Sequence, residues 1–438
     1  MREEHYPDNF REEETAYLIQ RIKSAESSLV SGLPGVGKSG FLRYLINNPA
    51  LRVRYPKELE NVIFVYLDVN DLTELSMAEF YRNFLQQLKL AAAFLPIEPE
   101  LTSWPNTGDS FILLQTIKNF LALILSDQKR KIVVVIDRFE QLLNTFDETF
   151  FNNLRALRDD HKTQYLYLAA YNRQSEKSAN GAAADQLLPL FASFHLNVKP
   201  LGFTDTERVI AGLLKETPFT LAEFQKEEIY GFCGGHPGLI KIYLQSLKSQ
   251  GAAVSWESFI REINENHSIK QTLGEIYQYL SEAELAVLLK VAKNEKLNGS
   301  SDQSLSSLTD LGVLNKNSGS YSLFSRAFEN YLKNYSPRQS RLAIDANSKR
   351  VFLNQTEITR SITNQEYKLL AFLMDHSEKV VSRDEIAAAV WAGDNIKGVS
   401  DEAIDQLISR LRAKIETDKN NPQCLLTLRG RGFIFNRQ

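Results

Sequence analysis

Apolar and polar positions follow three different rhythms along this chain. Through about residue 200, short and nearly continuous apolar runs recur: SSLVSG (27–32), NVIFVYLDV (61–69), KIVVVID (131–137) and QYLYLAAY (164–171). Runs of that length without a polar face are what strands buried on both sides look like. Segments of helical period separate them. This βαβ alternation predicts a doubly wound parallel sheet with helices on both faces. The polar, small-residue stretch SEKSANGAAADQ (175–186) predicts a surface loop.

From about 201 to 270 the strand signal disappears. FTDTERVIAGLL and TLAEFQKEEIYGFCGG read as short amphipathic helices, the second stopped by Gly234-Gly235. From about 275 the text changes again: a helix (LSEAELAVLLKVAKN), a polar loop, then LTDLGVL and SYSLFSRAFENYLKN. Two helices and a hairpin-like return predict a small winged helix, and Pro337 marks a linker after it. In the last block, LAIDANSKRVFLNQTEIT carries short strand signals. TNQEYKLLAFLMDH opens with Thr363 and Glu366 in capping-box spacing, and VSRDEIAAAVW repeats the box with Ser382 and Glu385. A third helix, VSDEAIDQLISRLRAKIE, turns Ile404, Leu407, Ile408, Leu411 and Ile415 inward, and LLTLRGRGFIF predicts a hairpin with a basic turn.

Composition narrows the class. A chain of 438 residues suggests about three domains at ~150 residues each. Hydrophobic residues make up 43% and charged residues 24%, an ordinary globular balance. No run of ~18 apolar residues occurs, and the acidic start MREEHYPDNFREEE does not read as a secretory signal, so a cytoplasmic protein without membrane contact is expected. Cys233 and Cys424 alone build neither a disulfide framework nor a zinc site. Net charge is -3, but it divides unevenly: residues 341–438 carry 15 Lys/Arg against 13 Asp/Glu, leaving the body acidic. That asymmetry points weakly to a DNA-facing tail.

Gly32-Leu33-Pro34-Gly35-Val36-Gly37-Lys38-Ser39 fits the phosphate-loop pattern G-x-x-x-x-G-K-[ST] and stands between a strand and the helix SGFLRYLIN, whose second residue, Gly40, also lies at the phosphates. The glycines let successive N–H groups turn toward phosphates, Lys38 supplies a cation and Ser39 a hydroxyl for Mg²⁺. The run KIVVVID ends in Asp137, placing a second Mg²⁺-directed carboxylate at the strand tip, and Glu140 three residues on can orient or deprotonate an attacking water. Asn172 and Arg173 end the neighbouring strand, where a polar side chain can sense a γ-phosphate. Arg155 and Arg158 read either as arginine fingers toward a neighbouring subunit or as surface ion-pair partners. No guanine-reading NKxD pattern is present, so adenine is the expected base.

GLPGVGKS, VVVIDRFEQL, a strand ending in Arg173, VKPLGFTDTE and CGGHPGLI together resemble a STAND-type or related AAA+ ATPase over residues 8–335. The resemblance implies ATP/ADP with Mg²⁺ as cofactors. It also implies a lid helix opened by Gly235-His236-Pro237 near the nucleotide, Phe10 and Arg11 passing near the adenine, and a winged helix after the lid. Arg138 stands where such ATPases often carry a Glu after the Walker B Asp, which argues for slow turnover. Residues 342–438 resemble the winged helix of OmpR/PhoB-type response regulators, carried by SRDEIAAAVW, ISRLRAKI and TLRGRGFIF. On that resemblance Arg383 and Trp391 meet the phosphate backbone, while Arg410 and Lys414, one helical turn apart, and Arg412 on an adjacent face are read as cations for phosphate and groove contact. Glu402, Ala403, Gln406 and Leu407 lie at the base-reading part of the third helix, and Thr427, Arg429 and Arg431 form the wing. Glu402 can accept from a cytosine amine.

The expected fold class is therefore multidomain α/β plus α+β. A P-loop ATPase domain (1–200) leads, followed by a helical lid (201–272), a winged helix (273–337) and an OmpR/PhoB-type winged-helix DNA-binding domain (338–438). The expected function is a nucleotide-switched transcriptional regulator that binds double-stranded DNA, self-associates and answers an unknown effector. A DNA-processing ATPase and a STAND signalling scaffold are the alternatives.

Overall fold

The computed structural model describes residues 6–95, 107–172, 187–191, 194–215, 220–250, 256–297, 302–317, 320–334, 342–345, 350–353, 356–377, 379–391, 400–416, 422, 424–428 and 432–435. The chain divides into two compact units, Met1–Asn334 and Tyr335–Gln438.

The first unit is built on a parallel sheet of strands β1 (Ser28–Ser31), β2 (Val62–Asp68), β3 (Lys131–Asp137), β4 (Tyr165–Ala170) and β5 (His195–Asn197), in the order β2-β3-β4-β1-β5. The four apolar runs are the four inner or longer strands. The fifth, HLN, has only half-buried or exposed side chains and left no apolar signal. Along β3 alternate residues feed opposite cores. Val133 and Val135 join the core under helices α1 (Glu12–Lys23) and α2 (Lys38–Asn47), while Ile132, Val134 and Ile136 join the other. That second core lies under α5 (Met77–Ala91), α6 (Ser110–Leu125), α7 (Phe139–Thr145) and α8 (Glu148–Asp159). Two short helices, α3 (Pro49–Arg54) and α4 (Pro56–Leu59), lie between α2 and β2. Fully burying each Val or Ile stabilises by about 1.5–3 kcal/mol, so a strand covered on both faces needs no polar alternation.

Helices α9 (Phe203–Leu214), α10 (Glu223–Cys233), α11 (Pro237–Gln250), α12 (Trp256–Ile263) and α13 (His267–Tyr279) follow without a strand, and α13 runs across residue 272. Next come α14 (Glu282–Ala292), α15 (Asp302–Asp310), an antiparallel hairpin of β6 (Leu314–Asn317) and β7 (Ser320–Leu323), and α16 (Arg326–Asn334). A capping box of Ser281 and Glu284 starts α14, and Ser307 on α15 donates to the same Glu284, 2.6 Å away. Phe324 and Phe328 belong to the same core as α1 and α2, so the helices after β5, the hairpin and this face of the parallel sheet share one apolar interior.

The second unit has an antiparallel sheet of β8 (Leu342–Asp345), β9 (Arg350–Leu353) and β10 (Thr356–Glu357), with β9 in the middle. Helices α17 (Asn364–Asp375), α18 (Arg383–Val390) and α19 (Asp401–Ile415) follow, with β11 (Val380–Val381) between the first two. β12 (Leu425–Leu428) and β13 (Gly432–Phe435) close a second sheet ordered β11-β13-β12. Both capping boxes form, at Thr363/Glu366 and Ser382/Glu385. Ile404, Leu407, Ile408, Leu411 and Ile415 of α19 all enter this unit's core. The architecture is thus a P-loop-type parallel sheet with helices plus a C-terminal winged-helix unit of mixed α/β class. The 175–186 stretch and Pro337 lie outside the described residues.

Candidate functional site

β1 delivers the chain into the phosphate loop, and the loop's geometry is fixed from behind. Gly32 and Gly35 adopt φ of 148° and 74°. A Cβ on Gly32 would stand 2.4 Å from the Val198 carbonyl oxygen, and one on Gly35 2.9 Å from the His236 ring. Only glycine meets both demands. Three consecutive loop carbonyls are then captured by three different groups. His236 Nε2 donates to Pro34 O (2.8 Å), the Gly238 amide to Gly35 O (3.1 Å) and Arg11 Nη2 to Val36 O (2.9 Å). Because a trans peptide sets N–H opposite C=O, the amides of Gly35 and Gly37 are directed away from this clamp. Val36 N–H instead closes a turn on Leu33 O.

His236 is fully buried, and its Nδ1 accepts from the Leu239 amide (3.3 Å), which leaves the ring proton on Nε2. Burial lowers its pKa to about 4, with Lys38 and Arg11 adding to the effect against the Pro34 hydrogen bond. Arg11 also donates to Lys199 O (2.8 Å) and pairs with Glu14 (3.1 Å), and its own amide donates to Asp205. Its backbone is left-handed, φ 46°. The guanidinium therefore packs behind the phosphate loop, while the Phe10 ring stacks on Tyr6 (4.2 Å) and abuts Tyr44 inside the core. Pro237 opens α11 beside Gly37.

At the strand tips four polar side chains converge. Lys38 Nζ donates to Gly32 O (2.8 Å), Leu33 O (3.2 Å) and Asn172 Oδ1 (3.0 Å). Burial lowers its pKa to about 8, against the pull of Glu140 and Asp137. Asn172 turns its amide nitrogen to Glu140 Oε1 (3.0 Å) and its backbone N–H to Oε2 (3.2 Å). Asn172 thus bridges the loop cation and the Glu140 carboxylate. Asp137 is buried; its Oδ2 accepts from Tyr66 Oη (2.7 Å) and its Oδ1 from the Arg138 amide. Ser39 and Gly40 lie in the first turn of α2. Ser39 on that turn and the Asp137 carboxylate at the tip of β3 are an oxygen donor set of the kind Mg²⁺ takes.

Arg138 caps α7 in a left-handed conformation, φ 61°, and its Nε lies 3.6 Å from Asp68. Arg155 and Arg158 both pair with Asp159 on their own helix (3.4 and 3.3 Å). Arg173 lies outside the described residues. Tyr66 and Gly238 were not legible as site residues: Tyr66 looks like any strand residue, and Gly238 contributes only backbone.

In the second unit Glu402, Gln406 and Arg410 form an exposed stripe one helical turn apart on α19, with Ala403 half-buried beside it. Leu407 is a correction: only 1% exposed, it packs in the core and cannot touch a base. Lys414 and Arg412 are held internally. Lys414 Nζ contacts the buried Glu366 carboxylate at 2.5 Å, and Arg412 bonds Leu425 O from Nε (2.9 Å) and Nη2 (2.6 Å) and Thr427 Oγ1 from Nη2 (2.8 Å). Trp391 caps α18 and packs against the core. Arg383 forks onto Asp405. Arg429 and Arg431 lie outside the described residues. Among the described residues no helix is long and apolar enough to cross a membrane, and no cluster of three or more His, Cys, Asp or Glu residues suits a metal ion.

Comparison with known proteins fits this two-part geometry. Residues 20–173 match the AAA domain family, and residues 357–435 match the family described as "Transcriptional regulatory protein, C terminal". The chain thus joins an AAA-type P-loop domain to a C-terminal domain of the OmpR/PhoB response-regulator type. Among curated relatives, the probable transcriptional regulator ycf27 of Galdieria sulphuraria is 40% identical over 96 residues, 22% of this chain and 37% of its own length. The alkaline phosphatase synthesis transcriptional regulatory protein SphR of Synechococcus elongatus is 40% identical over 84 residues, covering 19% and 31%. The chain therefore spans about a third of these relatives' length. Among solved structures, the Walker-type ATPase PABY2304 of Pyrococcus abyssi aligns over 76% of this chain and all of its own, at 15% identity and TM-score 0.47. The Klebsiella pneumoniae RstA DNA-binding domain in complex with the RstA box aligns over 22% of this chain and 92% of its own, at 26% identity and TM-score 0.19.

Proposed function

We propose that this chain is a transcriptional regulator whose ATP- or ADP-bound state controls its conformation or self-association, and whose C-terminal unit binds double-stranded DNA. The observation that carries the reading is the union, in one chain, of a complete phosphate loop with its strand-tip carboxylates and a domain of the response-regulator DNA-binding type. Gly32 to Ser39 would hold the phosphates, with Ser39 and Asp137 holding the Mg²⁺ that accompanies them and neutralises phosphate charge. Glu140, kept in place by Asn172, would orient water. Arg138 in place of an acid next to Asp137 favours slow turnover, as suits a switch of the STAND kind. The lid enters through His236 and Gly238, which grip the same loop the phosphates would touch. Family members of the C-terminal type bind repeated sites as head-to-tail pairs, so assembly in the nucleotide-bound state would raise effective concentration on DNA.

The test is DNA binding on a genomic fragment library with an ATP analogue, with ADP, and for Lys38→Ala. Enrichment of a repeated site that changes with nucleotide and with Lys38 is the expected result. Identical binding in all nucleotide states, with a monomer throughout, would sink the switch. Uniform enrichment with DNA-stimulated hydrolysis would replace it with a DNA-processing ATPase, and no enrichment with a protein-binding scaffold.

A further inference from the structure

The first half of α19 exposes Asp401, Glu402 and Asp405. Carboxylates on a helix entering a phosphate-lined groove oppose binding, since affinity there comes from cations that displace condensed counterions. Two of the three face one cation. Arg383, the first residue of α18, donates from Nη2 to both Asp405 oxygens (2.8 and 3.2 Å), and its Nε lies 3.8 Å from Asp401. The guanidinium carbon also lies 5.2 Å from the centroid of the Phe433 ring. One guanidinium nitrogen and the π-face are thus engaged, yet Arg383 keeps 29% and Asp405 53% of side-chain exposure, so a phosphate can reach the pair. With Arg412 and Lys414 held internally, Arg410 is the cation of α19 whose side chain, among the described residues, meets neither a carboxylate nor the wing strand.

We propose that Asp405 limits DNA affinity by holding Arg383 in an internal fork that a DNA phosphate must displace. The inference rests on the DNA-binding reading above. An exposed ion pair contributes about 0–1 kcal/mol, so a well-placed phosphate can win the exchange. On DNA of arbitrary sequence, where no phosphate is held in register, Arg383 stays with Asp405 and releases no counterion. Binding to non-target DNA is thereby held down, and the contact is reserved for sites where α19 seats fully.

The experiment measures binding of the full-length protein to a random-sequence duplex pool of about 30 base pairs, from about 50 to about 200 mM salt. It uses wild type, Asp405→Asn, Asp401→Asn, Arg383→Ala and the Arg383→Ala/Asp405→Asn double variant. Asp405→Asn is expected to bind about tenfold tighter at the low-salt end, with a salt slope steeper by about 0.9, the signature of one added phosphate contact. Arg383→Ala alone should resemble wild type, and the double variant should fall back to Arg383→Ala. An unchanged slope for Asp405→Asn, a gain that persists in the double variant, or an equal gain from Asp401→Asn reports mere charge removal and overturns the proposal. Absence of salt-dependent binding in every variant overturns the DNA-binding reading and this inference with it. Wild-type binding with no Asp405 effect overturns this inference alone.

Discussion

The two charged regions of this chain use their charges in opposite ways. Around the phosphate loop the ionisable groups are buried or half-buried and mostly tied to backbone. Arg11 and His236 hold loop carbonyls, Lys38 reaches two more, and Asp137 accepts from Tyr66 and a main-chain amide. On α18 and the first half of α19 the charged groups lie at the surface, and their pairs join side chain to side chain, as in Arg383 with Asp405, while Arg412 and Lys414 further along α19 turn inward. A buried group that loses its partner pays the full cost of desolvation, whereas an exposed pair is screened and nearly neutral to stability. The proposed nucleotide site should therefore fail at single positions. The proposed DNA face should reveal itself only through salt dependence and paired substitutions.

The largest effect is expected at Lys38. Lys38→Ala removes the loop's cation and should weaken binding of a fluorescent ADP analogue by about 100-fold, since a hydrogen bond to a charged group contributes about 1.5–3 kcal/mol. Nucleotide titration checks it. Wild-type affinity in the variant would mean that the backbone amides alone hold the phosphates and that the strand-tip cluster has been misread.

His236 comes next and brings a pH dependence. Its folded pKa, near 4, lies below the ordinary 6.5, so between those values the unfolded chain takes up a proton that the folded one refuses. Stability contributed by the neutral ring is complete above pH 6.5 and is lost as pH falls toward 4, by up to about 3 kcal/mol. Lys38 and Arg11 face the same ring and oppose its protonation. His236→Gln should be less stable than wild type at pH 7, and calorimetry of the first unit should show that gap narrowing as the buffer is taken down to pH 4.5. A constant gap would show that the ring acts by packing alone.

Much of this was legible before any coordinates, for identifiable reasons. Each long strand is covered on both faces, so it wrote an unbroken apolar run. The phosphate loop has rigid backbone demands at Gly32 and Gly35, so it wrote a fixed spacing. Both capping boxes of the last domain are local in sequence and formed as read. Contacts through main-chain atoms could not be read this way. The clamp on Pro34, Gly35 and Val36 uses carbonyls that every residue has, and the His236 bond to Pro34 joins positions 202 residues apart. Arg11 was expected near the base, yet its buried guanidinium ends behind the loop. Strand β5 was missed because three exposed or half-buried residues at a sheet edge carry no pattern. Leu407 shows the converse: helical spacing had already turned it inward, and the core placement rules out base contact.

A smaller effect belongs to Glu366, whose buried carboxylate serves two partners. It accepts from the Thr363 amide (2.7 Å) within the capping box and from Lys414 on α19. Burial works to raise its pKa, but Lys414 and Thr363 together hold it below the ordinary value. Glu366→Gln keeps a box-competent side chain and removes the charge, so the second unit should lose about 1–2 kcal/mol in denaturant unfolding. No loss would place the Lys414 pair among those that contribute nothing.

The finest test separates two cations that the sequence placed one turn apart on α19. Arg410 is exposed and, among the described residues, bonds to the Gln406 carbonyl in its own helix (3.4 Å), whereas Lys414 is committed to Glu366. If α19 meets DNA, Arg410→Ala should weaken binding severalfold, reduce the salt slope by about one and leave the melting temperature unchanged. Lys414→Gln should do the reverse, lowering the melting temperature while the slope stays near wild type. Equal slopes for both variants would mean that the exposed stripe of Glu402, Gln406 and Arg410 is not the surface presented to DNA. The same change in slope from Lys414→Gln would mean that DNA can draw Lys414 away from Glu366, making the internal pair as exchangeable as the one at Arg383.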